Sequence, residues 1–435
     1  MKTKLFLIGL FCVFANELKA QLTLDAEIRP RYEYRNGFIK LNEKDQDPAS
    51  FIYQRSRFNV NYKNENIHMY LSFQDYRTWG SEKQLNQRDD NLSIHQAWVD
   101  MKLTDNLNAK LGRQEINLDD QRIFGAVAWT QQARSQDALV LKYKQDKFKV
   151  DLGLAYNQDS DELSGNTYLG EKNYKTFQYA WLHHDWDKLS ASLLILNNGL
   201  QYIGDLDNDA ETRFSQTVGT HLKGKSGDLN WFANAYYQTG EHVNGVDIKA
   251  FLIGGEMMYA RADADYKIGL GAEMISGNDD DDLNGEINSF NPFYGTNHKF
   301  NGWMDYFYVG NHGNNVGLVD IYAKGIYKFN NKSNLLMMAH QFSSAGKIIK
   351  GDKAETMSFG TEVDMAYTYK LNSDVTLKAG YSHMFAEEGL EIVKSRSEQF
   401  NPDMTPEQNL DKLTNQTNNW GWIMVVIKPT IFSSK

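Results

Sequence analysis

The chain contains 435 residues, of which 41% are hydrophobic, 23% are charged and 13% are aromatic, and only 6 are proline. This aromatic content argues against an unstructured chain, and the excess of 56 acidic over 46 basic residues argues against a nucleic-acid partner, which would need a basic surface. Beyond residue 20, no stretch approaches the roughly 18 apolar residues of a membrane-spanning helix. The composition leaves a large soluble β protein or a transmembrane β-barrel.

The first 20 residues are typical of a secretory signal peptide. Lys2 and Lys4 form its charged start, residues 5–14 form an apolar run, and Ala20 is suited to cleavage. The single cysteine, Cys12, lies inside this segment, so the exported chain would contain no disulfide bond and no cysteine–zinc site. We expect residues 21–435 to form a single domain, since no second domain or fixed repeat is visible.

The exported chain opens with a segment, residues 22–34, that alternates between apolar and polar side chains. The apolar members are Leu22, Leu24, Ala26, Ile28, Tyr32 and Tyr34, and the polar members include Asp25, Glu27, Arg29, Arg31 and Glu33. Residues 148–157 and 361–370 repeat this pattern, and the latter places Glu362 and Asp364 on the polar face. A period of two over this length predicts a β-strand with one dry face and one wet face.

Eighteen segments of this kind follow one another along the chain. They lie at 22–34, 53–62, 67–77, 92–103, 107–116, 137–144, 147–157, 174–185, 188–197, 213–223, 229–239, 247–259, 265–276, 317–328, 333–342, 357–370, 375–385 and 417–428. The connections between them are alternately short and long along the whole chain. This alternation predicts an all-β fold: a transmembrane antiparallel up-and-down barrel with short periplasmic turns, long extracellular loops and both termini at the short-turn end.

The membrane environment explains why such strands must close into a barrel. In lipid every backbone polar group has to be satisfied internally, so only helices and closed barrels can span a bilayer. The apolar face of each strand would then contact lipid, and the charged face would line a water-filled lumen. The longest connection, 277–316, is expected either to fold inward as a constriction or to remain an outer loop.

Arginine is concentrated in the first third of the chain, where ten of the 13 arginines lie between residues 29 and 134. Arg29, Arg31 and Arg57 occupy the polar faces of predicted strands. One interpretation is a charge network that keeps a wide lumen hydrated. The other is a basic stripe that selects carboxylates, with Arg113 as a further member and with Asp25, Glu27, Glu362 and Asp364 tuning the field.

Two predicted outer loops are rich in acidic residues. Asp280, Asp282 and Asn284 match the first half of an oxygen-ligand calcium loop, but the twelfth position is Asn291 and not the bidentate glutamate that this motif needs. Residues 205–209 are similar. A solvated acidic loop is the simpler interpretation, and calcium binding or bridging to lipopolysaccharide is the alternative.

No arrangement of residues predicts catalysis. His183 and His184 are adjacent on a predicted strand and therefore face opposite ways, and the sequence contains no nucleophile elbow and no metal-binding histidine pair. We therefore expect no enzyme and no required cofactor.

Residues 111–125, Leu-Gly-Arg-Gln-Glu-Ile-Asn-Leu-Asp-Asp-Gln-Arg-Ile-Phe-Gly, and the run 290–305 resemble the alginate export family of outer-membrane barrels. The resemblance implies a monomeric eighteen-stranded porin whose arginine-lined constriction passes a polyanionic polysaccharide outward. It also implies that Arg113, Arg122 and Arg134 line the constriction or anchor loops, and that His298 and Asp305 organise the long loop.

These observations predict a multi-pass outer-membrane channel for passive diffusion or export of a polar, anionic solute or polysaccharide such as alginate. Its expected partners are outer-membrane lipids and lipopolysaccharide, the barrel assembly machinery and the solute itself, and we expect a monomer rather than a trimer. The main alternative is a general porin or uptake channel for neutral oligosaccharides, which would stack on Trp98, Phe232 and Tyr236 of the lumen. A membrane-embedded lipid hydrolase and a secreted adhesin are two further alternatives.

Overall fold

A computed structural model describes residues 20–85, 91–170, 173–204, 210–282, 285–308, 316–396 and 405–434. Of the predicted signal peptide, residues 1–19 lie outside this part of the chain. No helix within the described residues is long and apolar enough to cross a membrane. The strands, in chain order, are β1 (Gln21–Asn36), β2 (Ala49–Lys63), β3 (Ile67–Thr78), β4 (Leu92–Lys102), β5 (Leu107–Gln114), β6 (Gln136–Gln145), β7 (Phe148–Tyr156), β8 (Thr176–Asp185), β9 (Leu189–Ile203), β10 (Ala210–Ser226), β11 (Leu229–Glu241), β12 (Asp247–Tyr259), β13 (Tyr266–Ile275), β14 (Leu318–Asn330), β15 (Ser333–Ser343), β16 (Ile348–Lys350), β17 (Lys353–Glu355), β18 (Ser358–Lys370), β19 (Val375–Ala386), β20 (Asn418–Ile427) and β21 (Thr430–Ser433).

The main sheet closes on itself, because β1 pairs with β2 on one side and with β20 and β21 on the other. Pro429 has no N–H to donate and separates β20 from β21, yet its carbonyl still accepts the N–H of Ala26 at 3.2 Å. These two segments are therefore halves of one strand. The small hairpin of β16 and β17 lies outside the main sheet. The result is the closed antiparallel barrel of eighteen strands that the sequence predicts.

The side chains of β1 show which face meets the membrane. Ile28 and Tyr32 are 44% and 40% exposed on the outside of the barrel, whereas Arg31 and Glu33 are 3% and 0% exposed on the inside. The same division holds on β7, where Leu152 is exposed on the outer face. The apolar face thus points outward and the charged face inward, as expected for a barrel that lipid surrounds.

All eighteen predicted strands are present, with ends that differ from the prediction by a few residues. The prediction missed the β16–β17 hairpin and two helices in the long connection after β19, α1 (Glu388–Ser395) and α2 (Pro406–Leu413). These elements are too short for a periodic pattern to reveal them. The start of α2 is nonetheless fixed locally. The Thr405 side chain accepts the Gln408 N–H, and the Gln408 side-chain oxygen accepts the Thr405 N–H.

Two of the long loops fold into the barrel. The β5–β6 loop (115–135) and the β13–β14 loop (276–317) meet inside the lumen, where the Gly125 N–H donates to the Tyr294 carbonyl and the Thr296 N–H to the Gln121 carbonyl, both at 2.9 Å. Phe124 packs between them and the barrel wall. We call the described parts of these two loops the plug. The apolar core of this protein therefore lies inside the barrel, between the plug and the wall.

Candidate functional site

Arginines of β1 and β2 hold the plug from one side of the lumen. Arg29 donates to the carbonyl oxygens of residues 128 and 130, both at 2.8 Å, and Arg31 donates to that of residue 129, also at 2.8 Å. Arg55 reaches the carbonyl of residue 130 at 3.3 Å. Arg29 and Arg31 are only 6% and 3% exposed. Contrary to the prediction, these two arginines do not line open water, because the plug uses their donors.

The other end of the β5–β6 loop is tied to the far side of the barrel. The Asp119 carboxylate accepts a hydrogen bond from the indole N–H of Trp181 on β8 at 3.1 Å, and that of Asp120 accepts one from the Asn234 side chain on β11 at 2.6 Å. In an eighteen-stranded barrel, β8 and β11 lie nearly opposite β1. The β5–β6 loop therefore crosses the whole lumen.

The acids predicted on β1 all have partners. Both glutamates form close ion pairs, Glu27 with Arg55 and Lys428, and Glu33 with Arg31 and Arg35. Asp25 lies nearer the short-turn end and accepts a hydrogen bond from the side-chain amide of Asn59 at 2.6 Å. Much of the negative charge on this wall is thus neutralised locally.

Arg57 keeps a donor that no described residue uses. Its Nε donates to the Gln74 side chain at 3.0 Å, but its Nη2 has no hydrogen-bond partner in the described part of the chain. Unlike Arg29, Arg31 and Arg55, the Arg57 side chain does not bind the plug, and one of its donors remains unused within the described chain.

Arg113 does not face the lumen. It lies on the same face of β5 as Leu111, which is 50% exposed on the outside of the barrel, and it pairs with Asp137 at 2.8 Å at the long-loop end. The prediction that Arg113 selects anions in the lumen is therefore wrong. The strand prediction for β5 was correct, and the alternation within it places Arg113 on the same outward face as Leu111.

Arg122 and Arg134 join the two loops of the plug. The Arg122 guanidinium binds Glu273 of β13 and donates to the Asn301 side chain at 2.9 Å. Arg134 donates to the Gly295 carbonyl at 2.9 Å. Burial lowers the pKa of Arg134 from its usual value. The structure thus places both residues at the contact between loops, the second of the two roles that the family resemblance implies.

Glu362 and Asp364 are buried on β18 beneath the plug, where both are 0% exposed. One carboxylate oxygen of Glu362 accepts the backbone N–H groups of Trp303 and Met304 at 2.5 and 2.9 Å. Asp364 accepts the Ser382 hydroxyl at 2.5 Å. Glu362 therefore fastens the β13–β14 loop to the wall, whereas Asp364 bonds to the neighbouring strand β19. Contrary to the prediction, neither acid borders the open lumen.

His298 and Asp305 form a pair within the β13–β14 loop, with Nδ1 of His298 2.6 Å from the Asp305 carboxylate. The His298 ring stacks on the indole of Trp129, with ring centroids 5.0 Å apart and an interplanar angle of 16°. Since Trp129 belongs to the β5–β6 loop, this pair also connects the two halves of the plug.

A cavity of about 480 Å³ lies directly beneath the plug. Its walls combine aromatic rings with charged side chains, contributed by the plug and by β11–β15, β18, β19 and β20. The aromatic members are Trp129, Phe232, Phe300, Trp303, Tyr322, Trp420 and Trp422, and the charged or titratable members are Asp120, Glu256, Glu273, His298, Lys299, Asp320, Lys324, His340 and Lys378. Aromatic walls with a few polar groups are the usual composition of a small-molecule site.

The sequence prediction missed most of this cavity. Trp420 and Trp422 alternate on the last strand, and period-two counting could have placed both on the lumen face. Lys378 has the same parity on the neighbouring strand. What no local pattern shows is that Trp129 and Trp303, from loops, close the cavity from above.

The acidic loop predicted to bind calcium is partly described. The Asp280 carboxylate accepts a hydrogen bond from Arg396 at 2.7 Å and one from the Ile349 N–H at 2.9 Å. Asn284 and residues 205–209 lie outside the described residues. Calcium binding by Asp280, Asp282 and Asn284 stays a prediction, and an arginine already occupies one of its carboxylates.

These features define a class of protein. A closed barrel of eighteen antiparallel strands, with an apolar exterior, a charged interior, short turns at one end and long loops at the other, is an outer-membrane channel of the porin type. Its polar side chains serve to hold loops and line a lumen, and its role is that of a non-enzymatic channel.

The chain belongs to the alginate export family, whose sequence profile matches residues 20–399. No protein with a curated description matches it in sequence. Solved outer-membrane porins share the fold. OpdK from Pseudomonas aeruginosa is 10% identical with a TM-score of 0.60, covering 94% of this chain and 98% of its own. A BenF-like porin from Pseudomonas fluorescens Pf-5 is 12% identical with a TM-score of 0.60 over 94% and 99% of the two chains. OccAB4 from Acinetobacter baumannii is 13% identical with a TM-score of 0.60 over 96% and 100%.

Proposed function

We propose that this channel passes polar, negatively charged solutes, including an anionic polysaccharide such as alginate, by passive diffusion or export. The observation that carries the proposal is the lack of a partner for the Lys378 ammonium group. This side chain lines the cavity beneath the plug and has no hydrogen-bond or ion-pair partner among the described residues. The charged groups that act on it are Arg29 and Lys428, which are both cations.

An unneutralised cation in a narrow lumen attracts anions more strongly than the same charge in bulk water. Low-dielectric walls concentrate the field of Lys378, and Arg57 adds a second donor that the described residues leave unused. Binding at such sites has to be weak for a solute to leave again, which suits two separate cations better than one strong clamp. Selection by charge therefore follows from the unpaired cations, whereas Arg29 is held by the plug and Arg31 is shared between the plug and Glu33.

The test is ion selectivity in planar bilayers. Reversal potentials in a KCl gradient should show a preference for chloride in the unmodified channel. Arg57→Gln and Lys378→Gln should each lower the permeability ratio about twofold or more, since one unscreened charge a few ångströms from the path is worth roughly 0.5–1 kcal/mol.

Arg113→Gln is the matched control, because it removes the same charge from the outer face of the barrel. Its permeability ratio should equal that of the unmodified channel. Ratios that stay unchanged in both lumen variants would contradict selection by these cations.

The neutral-oligosaccharide alternative gains support from the tryptophans of the cavity, since flat aromatic faces suit sugar rings. Of the three aromatics first named for it, Phe232 lines the cavity, Tyr236 is buried at 4% exposure, and the face of Trp98 is covered by the Lys110 ammonium at 4.0 Å. Block of the ionic current by a neutral oligosaccharide, at concentrations where its acidic counterpart has no greater effect, would favour this alternative.

A further inference from the structure

The outer wall of the barrel contains a groove that crosses strands β5 to β8. The groove has a volume of about 450 Å³ and runs along a row of outward-facing side chains at paired strand positions, Leu111, Leu139, Leu154 and Gln178. Leu111 and Leu154 are 50% and 49% exposed. Because this face of the strands meets lipid, a hydrocarbon chain suits the apolar part of the groove.

The groove lies at the extracellular end of the barrel. Leu111 is three residues before the end of β5 at Gln114, and Leu154 is two residues before the end of β7 at Tyr156. Both strands begin at short turns, which are periplasmic, so both end on the outer side. This is the level of the outer leaflet, where lipopolysaccharide replaces phospholipid in an outer membrane. The acyl chains that reach the groove therefore belong to a glycolipid.

A ladder of side-chain amides continues the same row across β8, β9 and β10. Asn197 Nδ2 donates to the Gln178 Oε1 at 2.7 Å, and Gln216 Nε2 donates to the Asn197 Oδ1 at 2.8 Å. A primary amide has two N–H donors, and the second donor of Asn197 and of Gln216 has no hydrogen-bond partner among the described residues. The outer wall thus changes from hydrocarbon to polar groups that can bind hydroxyls.

A polar cavity of about 420 Å³ adjoins the groove on the side of the loops. Asp137 lines both spaces, and the ion pair with Arg113 holds it in place. The Arg134 guanidinium also lines the polar cavity. It donates to the Gly295 carbonyl, and within the described chain no acid forms an ion pair with it. The cavity therefore carries a positive charge that an anionic group of a ligand would neutralise.

The groove, the ladder and the cavity match three parts of one molecule. An acyl chain suits the leucines, hydroxyl-bearing sugars suit the amides, and a phosphate suits the arginine. A phospholipid lacks the sugars, and a free saccharide lacks the chain. Lipid A, the membrane anchor of lipopolysaccharide, consists of acyl chains on a phosphorylated disaccharide and has all three parts.

We propose that this surface is a binding site for one lipopolysaccharide molecule of the outer leaflet. An acyl chain lies against Leu139, the sugars of lipid A lie on the ladder from Gln178 to Gln216, and a phosphate lies beside Arg134. The groove and the ladder face away from the lumen. The site is therefore independent of which solute the channel passes.

Native mass spectrometry of the full exported chain in detergent micelles tests this site. The probes are diphosphoryl lipid A, phosphatidylethanolamine and phosphatidylglycerol, each titrated separately. Lipid A should saturate at one molecule per chain and bind about tenfold or more tightly than either phospholipid. Equal affinity for lipid A and phosphatidylglycerol would overturn the glycolipid site. A lipid-free pair of chains that lipid A does not dissociate would assign the groove to a second copy instead.

Filling the groove locates the acyl chain. Leu139→Trp should weaken lipid A binding about fivefold or more, because the larger side chain occupies the space of the chain. Leu270→Trp is the matched control, since Leu270 is a 68% exposed leucine on the outer face of β13, outside the groove. Lipid A affinity that is the same in both variants would overturn the assignment of the groove.

Replacing an amide tests the sugars. Gln178→Leu should weaken lipid A binding about threefold or more and leave phosphatidylglycerol binding unchanged, because the new side chain is apolar. Gln341→Leu is its control, since Gln341 is an amide on β15 that bonds to Ser358 and Thr361 near the long-loop end. Heat-modifiable gel mobility confirms that both variants are folded. Equal effects of the two changes would contradict binding of the sugars by the ladder.

The phosphate is tested with lipid A from which both phosphates have been removed. This probe should bind the unmodified chain about fivefold or more weakly than diphosphoryl lipid A, and the difference should disappear in Arg134→Met. Arg29→Met also removes a hydrogen bond to the plug but lies outside the polar cavity, and it should keep the difference. A difference that persists in Arg134→Met would overturn the position of the phosphate.

Discussion

The carboxylate of Glu362 accepts the backbone N–H of Met304 at 2.9 Å, and this bond fastens the inward-folded β13–β14 loop to strand β18. Both residues are 0% exposed. Glu362 also accepts the N–H of Trp303, which lines the cavity beneath the plug. One buried acid of the barrel therefore positions both the plug and part of this cavity.

Replacing this acid should loosen the loop without unfolding the barrel. Glu362→Leu removes both acceptor interactions, each worth about 0.5–1.5 kcal/mol, so local opening should increase about ten- to hundredfold. Hydrogen–deuterium exchange at residues 303 and 304 measures this directly. Glu362→Gln keeps an acceptor and should show a smaller effect, and Glu355→Gln in the exposed β16–β17 hairpin should show none. Equal exchange in all three variants would contradict the conclusion that Glu362 holds the β13–β14 loop to the wall.

Removing an arginine that binds the plug should free the β5–β6 loop. Arg29→Met loses the bonds to the carbonyl oxygens of residues 128 and 130, and we expect faster exchange in residues 128–131 by about tenfold or more together with a larger single-channel conductance. Arg261→Met is the control, because Arg261 lies in the exposed turn after β12. A conductance equal to that of the control would show that this loop does not limit the current.

Lys394 of α1 donates to the Tyr306 carbonyl of the plug at 2.5 Å, and the closure of α1 over the plug should therefore depend on pH. Burial lowers the pKa of Lys394 to about 7, whereas an exposed lysine titrates near 10.5. When α1 opens, Lys394 therefore takes up protons between about pH 7 and pH 10.5, so closure strengthens as the pH rises through this range and is weakest below pH 7. Protection factors of residues 388–395, measured at pH 6.5 and pH 9.5, should rise with pH. In Lys394→Met this dependence should disappear, and its persistence would assign the effect to another group.

The flat packing of Trp422 predicts a strict requirement for glycine at position 380. In Gly380→Val the new side chain would collide with the indole, since even a Cβ comes within 2.3 Å of it. We expect a loss of about 1–3 kcal/mol in stability and a shifted tryptophan emission spectrum. Gly325→Val is the matched control, because no heavy atom lies within 4 Å of a Cβ at that glycine. Heat-modifiable gel mobility reports stability, and similar midpoints for the two variants would contradict this packing.

The strand pattern could be predicted because it is local. In β1, the alternation of Ile28 and Tyr32 with Arg29 and Arg31 is imposed by two solvents, lipid outside and a polar interior inside, acting on a backbone with a period of two. Counting such alternating segments along the chain gives the strand number, and the gaps between them give the alternation of short and long connections. It also predicts, correctly, that Glu362 and Asp364 point inward.

The state of each inward-facing charge was decided by the tertiary structure alone. Arg29 is hydrogen-bonded to carbonyl oxygens about a hundred residues away, and Lys378 stays unpaired because no acid of the described chain reaches it. Alternation sets the face on which a side chain lies, but its partner depends on where loops distant in sequence fold. Such partners lie far apart along the chain, and a local period contains no information about them.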